Sequence, residues 1–168
     1  GALSMSIFLS SILEMSIYFN KSYALMQLSI SLYLLTTAIF QIIAGPLSDR
    51  FGRRLITLSS VIMFILASLG CFFSTQFELF IFFRILQASV AAGFLMSRVI
   101  IRDITSESDA ASMIGYVTMG MSIIPLFAPG FGGLIHMYLG WPSIFLIMAL
   151  LGLFLLYLVF KDLGETKI

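Results

Sequence analysis

Long runs of apolar residues, separated by short polar stretches, repeat along the whole chain. Six of these runs approach the length of about 17–25 residues that an α-helix needs to cross a bilayer. They extend from the chain start to Tyr18 and over Met26–Leu47, Leu55–Phe73, Leu79–Ile101, Met113–Met137 and Ser143–Phe160. Because the connections are short, we expect consecutive helices to be antiparallel neighbours. The pattern predicts an all-α membrane protein of six transmembrane helices without a soluble domain.

The composition argues against a soluble globular domain. Of the 168 residues, 60% are hydrophobic and 10% are charged, whereas soluble domains average about 45–50% apolar and about 25% charged residues. The net charge of +1 gives no indication of nucleic-acid binding. The single cysteine, Cys71, lies inside a predicted span, so a disulfide framework is excluded. His136 is the single histidine and has no evident partners for a metal site, so we expect neither a metal nor a cofactor.

The stretch GPLSDRFGRR, residues 45–54, joins the second and third predicted spans and is rich in arginine. Lys and Arg in short loops set the orientation of membrane helices, because they remain in the cytoplasm. One side of the predicted bundle has Lys21 alone, and the other has six cations: Arg50, Arg53, Arg54, Arg102, Lys161 and Lys167. This asymmetry predicts that both termini and the 45–54 loop are cytoplasmic.

Topology alone does not explain the glycines and the aspartate of this loop. Gly45 is expected to let two helices approach closely, and Gly52 permits the positive φ of a sharp reversal. Asp49 lies at the end of a helix, where a carboxylate is unfavourable unless a positive group answers it. We therefore expect Asp49 to contact an arginine or the N-terminus of another helix.

These ten residues resemble motif A of the major facilitator superfamily, G-x-L-[SA]-D-R-x-G-R-R. The resemblance implies that Asp49 contacts a helix of a second half-transporter and holds the outward-facing state. It also implies that residues 1–168 form the N-terminal half of a twelve-span fold, and that the C-terminal half is not part of this chain. Such a half contains two inverted three-helix repeats, here residues 1–73 and 79–160, and substrate binds near the midplane between halves.

The fourth predicted span carries an unusual polar stripe. At 100° per residue, the polar positions of this helix fall within an arc of about 60°. They are Arg84, Gln87, Arg98 and Arg102, together with the small residue Ala91. We expect the stripe to face water or substrate; the alternative is that Arg84 extends outward to the interface. RILQASVAAG, residues 84–93, also resembles motif B of the family, which implies a role for Arg84 in proton coupling.

The fifth predicted span contains PLFAPGFGG, residues 125–133, in which Pro125 and Pro129 are followed by Gly132 and Gly133. Prolines remove intrahelical hydrogen bonds and glycines weaken helices, so this sequence predicts either a moving part of the span at a close helix contact or a packing kink. It resembles the end of motif C of drug:proton antiporters, most closely in the bicyclomycin-resistance (Bcr/CflA) branch.

The first predicted span departs from that branch, which carries an aspartate and two prolines there. Ser6, Ser10 and Leu13 stand at those positions. Glu14 is the remaining acidic residue of this span, and it either carries protons or lies in water at the interface. Gly1 is not an initiator methionine, and no basic region of a signal peptide precedes the span. We therefore expect the chain to be trimmed at its front.

Together these features favour the N-terminal half of a proton-coupled efflux antiporter in a bacterial inner membrane. The resemblance implies lipophilic or cationic substrates, alternating access, the proton gradient as energy source, and a C-terminal half from the same gene or a separate chain. The alternative is a transport-incompetent six-span remnant, a structural or partner-binding membrane protein, or a homodimer. An enzyme is disfavoured, because neither G-x-S-x-G nor H-E-x-x-H is present.

Overall fold

The computed structural model describes residues 11–162, apart from the side chains at positions 107, 108, 136 and 162. All regular structure in this range is helical. The helices are α1 (11–18), α2 (Tyr23–Phe51), α3 (Arg53–Phe73), α4 (Phe77–Gln87), α5 (Val90–Ile104), α6 (Glu107–Leu139) and α7 (Ser143–Asp162).

Five described segments are long and apolar enough to cross a membrane. They are Tyr23–Phe51, Arg53–Phe73, Phe77–Ile104, Asp109–Leu139 and Ser143–Lys161, and they coincide with the second to sixth predicted spans. The first predicted span lies largely outside the described residues, and α1 covers its last part. The all-helical membrane architecture is therefore confirmed, whereas the sixth span and the inverted repeats remain predictions.

The fourth span tightens at its centre, between α4 and α5. The backbone N–H groups of Ala88 and Ser89 donate to the carbonyls of Ile85 and Leu86, both at 3.1 Å, and Ala91 donates to Ala88 at 3.0 Å. Such bonds across three residues belong to 3₁₀ geometry, which rotates the chain by about 120° per residue where an α-helix rotates it by about 100°. The side chains before and after this point are thus turned relative to the continuous helix that we predicted.

One end of the bundle, called the basic end below, holds the junction of α2 and α3 together with Arg50, Arg53, Arg54 and Arg102. Gly52 alone separates the two helices. It has φ 96°, as predicted, and its N–H donates to the Ser48 carbonyl at 2.9 Å. A positive φ is costly for residues with a Cβ, so the glycine makes this short reversal possible.

The opposite end, called the aromatic end, is packed by rings from four helices or their flanks. Phe19, Phe80, Trp141 and Phe145 are buried there in one cluster. The ring of Phe80 lies 5.2 Å from that of Phe19 and 5.6 Å from that of Phe145, within the range of favourable aromatic contacts. A salt bridge of 3.3 Å between Lys21 and Glu78 ties the connection after α1 to the start of α4.

Burial is distributed unevenly between the helices. Helix α3 packs along α7 and also contacts α2, α4 and α5. At Gly152 of α7, an added Cβ would lie 2.7 Å from Cγ1 of Ile65, so α3 and α7 are in close contact there. Helix α6 is the least covered: among its described residues only Ala110, Ala128 and Gly132 are buried.

Candidate functional site

A hydrogen-bonded chain of polar side chains lies inside the bundle, between α4 and α3. Arg84 Nη1 donates to Gln87 Oε1 at 2.5 Å, and Gln87 Nε2 donates to Ser68 Oγ at 2.9 Å. Ser68 Oγ in turn donates to the Phe64 carbonyl at 2.8 Å. Arg84 is 1% exposed, and Gln87 and Ser68 are fully buried. We call Arg84, Gln87 and Ser68 the Arg84 network.

Aromatic rings from two further helices surround the same guanidinium. The Arg84 Cζ lies 4.6 Å from the ring centroid of Tyr33 on α2 and 5.9 Å from that of Phe145 on α7. These distances allow cation–π attraction, which is stronger at desolvated sites. Four helices thus meet at one charged group, and charged groups within membrane spans are costly and usually functional.

Arg84 and Gln87 of the predicted polar stripe point into the bundle, so they do not face water as predicted; a contact with substrate stays a prediction. The alternative, in which Arg84 extends outward, is wrong too. Ser68 supplies a polar partner for Gln87 inside the bundle, and Ala91 on the same stripe is buried as well. Arg98 is half-buried over the ring of Phe94 at 4.7 Å, and Arg102 is exposed.

A second polar cluster joins three helices at the basic end. Arg53 Nη1 donates to Asp49 Oδ1 and to Ser48 Oγ, each at 2.5 Å, and Arg53 Nε donates to Asp103 Oδ2 at 3.3 Å. The expectation that an arginine answers Asp49 is therefore confirmed. Arg53 holds the end of α2 and the end of α5 to the start of α3.

Asp103 was not among the predicted site residues. It lies 50 positions from Arg53 in sequence, so no local pattern pairs the two. One signal was present, because Asp103 is an acidic residue in the last turn of a helix. The requirement for a nearby cation that we applied to Asp49 applies equally to this residue.

The other residues of the 45–54 loop are less enclosed. A Cβ at Gly45 would meet nothing within 4 Å, so the close helix contact predicted there is not made by the described residues. The Arg50 guanidinium lies 5.4 Å from the Phe51 ring, and that of Arg54 lies 5.7 Å from the Phe160 ring.

The proline- and glycine-rich sequence of the fifth span does not interrupt the helix. Helix α6 continues from Glu107 to Leu139 through Pro125 and Pro129, so the motif lies within one helix, and a kink or a moving part there stays a prediction. A proline removes one hydrogen bond, yet its fixed φ is compatible with a helix, and membrane helices tolerate it. Gly132 is buried, whereas a Cβ at Gly133 would meet nothing within 4 Å.

The described structure does not bring the α6 motif and the Arg84 network into direct contact. Ala128, between the two prolines, packs in a cluster with Phe64, whose carbonyl accepts the hydrogen bond from Ser68. Glu14 is exposed near the end of α1. Ser6 and Ser10 lie outside the described residues.

A cavity of about 570 Å³ lies between the Arg84 network and the basic end. Residues of α2, α3, α5, α6 and α7 line it, among them Tyr33, Thr37, Thr57, Phe94, Ser97 and Val159. Its volume lies within the range of about 300–1,000 Å³ that is typical of ligand pockets. Tyr33 borders both the cavity and the Arg84 guanidinium.

Long apolar helices around a buried guanidinium, with a cluster of arginines and carboxylates at one end, define a polytopic helical membrane protein. The profile of the Major Facilitator Superfamily matches residues 1–167. The chain belongs to this superfamily of transporters, as the motif in residues 45–54 led us to expect.

Several named relatives are similar to this chain. It is 37% identical over 145 residues to the multidrug resistance protein MdtL of Shewanella sp. (strain ANA-3), covering 85% of this chain and 36% of that protein. It is 32% identical over 152 residues to a chloramphenicol resistance protein of Pseudomonas aeruginosa, covering 89% and 36%. The uncharacterized MFS-type transporter YdgK of Bacillus subtilis (strain 168) is 32% identical over 169 residues, covering 99% and 42%. The chain thus spans about two fifths of the length of these relatives.

Proposed function

We propose that this chain forms the N-terminal half of a proton-coupled efflux antiporter of the Bcr/CflA type. In the complete transporter, this half and a C-terminal half rock about a substrate site between them and expose it alternately to the two sides of the membrane. The substrates are small lipophilic or cationic molecules, and the proton gradient supplies the energy. The names of two relatives, which concern chloramphenicol and multidrug resistance, support this class of substrate.

The observation that carries the proposal is the pair of uncovered faces on α2 and α6, the two helices that flank α5. Of the 29 residues of α2, only Met26, Ser29, Tyr33, Ala44 and Ser48 are buried. Ile42 is 74% exposed and Leu126 on α6 is 76% exposed. Added Cβ atoms at Gly45 and Gly133 would meet open space. Small residues on apolar helices favour close helix contacts, and a C-terminal half with matching helices would cover these faces.

The Arg84 network is the proposed proton-responsive element of this half. A proton or a carboxylate that arrives near a desolvated guanidinium changes the energy of its surroundings strongly, because the local dielectric constant is low. Arg84 contacts the ring of Tyr33, and Tyr33 lines the cavity. A change in the position of the Arg84 guanidinium would therefore alter the cavity wall through the Tyr33 side chain. Glu14 is the residue that we propose as a proton carrier of this half.

The orientation that we propose places the basic end and both termini in the cytoplasm of a bacterium. Six cations lie in the loops and tail of that side against Lys21 on the other, and this asymmetry favours retention of the basic side inside the inner membrane.

Transport by the complete protein tests the proposal. The gene that contains this chain is expressed in bacteria that lack their major drug pumps, and efflux of chloramphenicol and of the lipophilic cation ethidium is followed with and without a protonophore. We expect efflux that stops when the protonophore collapses the gradient. Arg84→Lys keeps the charge but not the planar, forked donor geometry, and should slow efflux about tenfold through the loss of one strong hydrogen bond.

Arg102→Lys is the matched control, because Arg102 is exposed on the same span. Equal membrane levels of both variants with unchanged efflux in Arg102→Lys would support the assignment. Efflux that is insensitive to the protonophore would contradict proton coupling. Absence of efflux for every compound tested would favour the remnant or partner-binding alternative.

A further inference from the structure

Two arginines, Arg54 and Arg98, lie close in sequence to residues that line the 570 Å³ cavity. Arg98 directly follows Ser97, which lines the cavity, and its Cζ lies 4.7 Å from the ring centroid of Phe94, another lining residue. Arg54 precedes the lining residue Thr57 by three positions, which places the two on the same face of α3.

Part of each of these two side chains is buried without a hydrogen-bond acceptor. Among the residues that the structure describes, Nε of Arg54 and Nε of Arg98 are inaccessible to solvent and donate to no protein atom. Both guanidiniums lie instead against rings: that of Arg54 lies 5.7 Å from the centroid of Phe160. Buried donors usually have partners in native proteins, so the two Nε groups leave both guanidiniums incompletely hydrogen-bonded. Both side chains are half-buried, so an acceptor from outside the chain would meet their Nη groups.

We propose that the cavity is a site for one molecule of anionic phospholipid. The phosphate accepts hydrogen bonds from Arg54 and Arg98, and one acyl chain enters the space between α3, α5 and α7. Arginine is well suited to phosphate, because its planar fork offers parallel N–H donors. Basic pockets between membrane helices are a known kind of site for anionic headgroups.

The chemistry of the cavity favours a lipid over a transported drug. Most of the lining side chains are apolar, including Leu34, Val61 and Leu155, and suit an acyl chain. The two arginines at one end repel a lipophilic cation and attract a phosphate. Helix α7, which supplies Leu155 and Val159 to the wall, has an exposed apolar surface, so a lipid can reach the cavity from the bilayer.

Native mass spectrometry of the purified complete transporter in detergent tests the proposal. The probes are phosphatidylglycerol, phosphatidylethanolamine of the same acyl chains, inorganic phosphate and ethidium. We expect phosphatidylglycerol to be retained more strongly than the other three. The double variant Arg54→Gln, Arg98→Gln should weaken its binding about tenfold, because each cation near a membrane surface contributes measurably to the attraction of anionic lipid.

The matched control is the double variant Arg102→Gln, Lys161→Gln, which removes the same charge from exposed residues of the same end. It should leave binding within about twofold of the unmodified protein, because exposed charges are screened. Thr37→Phe narrows the cavity without altering either arginine, and should also weaken retention of phosphatidylglycerol.

Three outcomes would overturn the proposal. Equal losses in the two double variants would indicate a general charge effect, and full binding in Thr37→Phe would indicate a headgroup at the surface without an acyl chain inside. Stronger retention of ethidium than of phosphatidylglycerol would assign the cavity to a transported cation. Unfolding temperatures measured without added lipid separate each of these results from a loss of folding.

Discussion

The fourth and fifth spans, α4–α5 and α6, both carry unusual sequences for a membrane helix, yet they differ in what surrounds them. Arg84 and Gln87 of α4 find hydrogen bonds and aromatic contacts inside this chain. The prolines and glycines of α6 lie on a helix whose described residues are largely uncovered. A polar group inside a membrane needs hydrogen-bond partners within the protein, whereas small apolar residues need none and can leave a helix surface free for another helix. The contrast separates features that this chain satisfies itself from features that, in our proposal, a second half would cover.

The largest expected effect comes from removing one ring on each of the two helices. Phe80 is fully buried among the rings of Phe19 and Phe145, so Phe80→Ala leaves a cavity at the centre of the aromatic end. This variant should lower the free energy of unfolding by about 3 kcal/mol. Phe131→Ala on α6, where the ring is 62% exposed, is the matched control and should change it by less than about 0.5 kcal/mol.

Thermal unfolding can be followed by the reaction of Cys71 with a thiol-specific fluorophore, since this single cysteine of the chain is buried beside Phe80. Equal losses of unfolding free energy in Phe80→Ala and Phe131→Ala would show that α6 is as tightly packed as α4. That result would contradict the contrast between the two spans.

A smaller effect is expected from adding volume at two glycines. Gly152→Val forces a side chain against Ile65 and Phe64, and overpacking of this kind should cost about 1–3 kcal/mol of stability. Gly133→Val meets open space within this chain, so the Cys71 assay should show little change. If a C-terminal half packs on α6, however, Gly133→Val should strongly reduce efflux. Normal efflux in Gly133→Val would argue against a helix contact at that position.

The smallest effect tests the same contrast at the basic end. The side chain of Asp103 is 24% exposed and that of Asp49 is 67% exposed, although both contact Arg53. Asp103→Asn should lower stability by less than about 1 kcal/mol, and Asp49→Asn by less still, because exposed ion pairs contribute little.

Asp49→Asn should instead shift the balance between inward- and outward-facing states, if Asp49 contacts the second half. Cysteines introduced on the two faces of the complete transporter would report this shift through their accessibility. An unchanged accessibility pattern would leave Asp49 with a role in the 45–54 loop only.

The apolar pattern predicted the second to sixth spans well, because length and hydropathy dominate the fate of a membrane segment. The residues of the 45–54 loop also predicted the reversal at Gly52 and an arginine partner for Asp49, since both follow from local backbone and charge requirements. Arg84 was predicted to face water or substrate, yet it is buried inside the bundle. An arc calculated on one helix does not show which side of that helix the other helices cover. Ser68 and Tyr33 were missed, because a serine or tyrosine within an apolar run carries no sign of its distant partner.

The single residue between α2 and α3 has a mechanical consequence. Two helices of 29 and 21 residues that share one glycine as their joint cannot slide apart along their axes. Any tilt of α2 pulls on the first turn of α3, and the bonds from Arg53 to Asp103 and Asp49 pass the displacement to α5. The basic end therefore links the ends of α2, α3 and α5. A displacement of α2 is transmitted through Arg53 to α5, the helix that follows α4 and its Arg84 network.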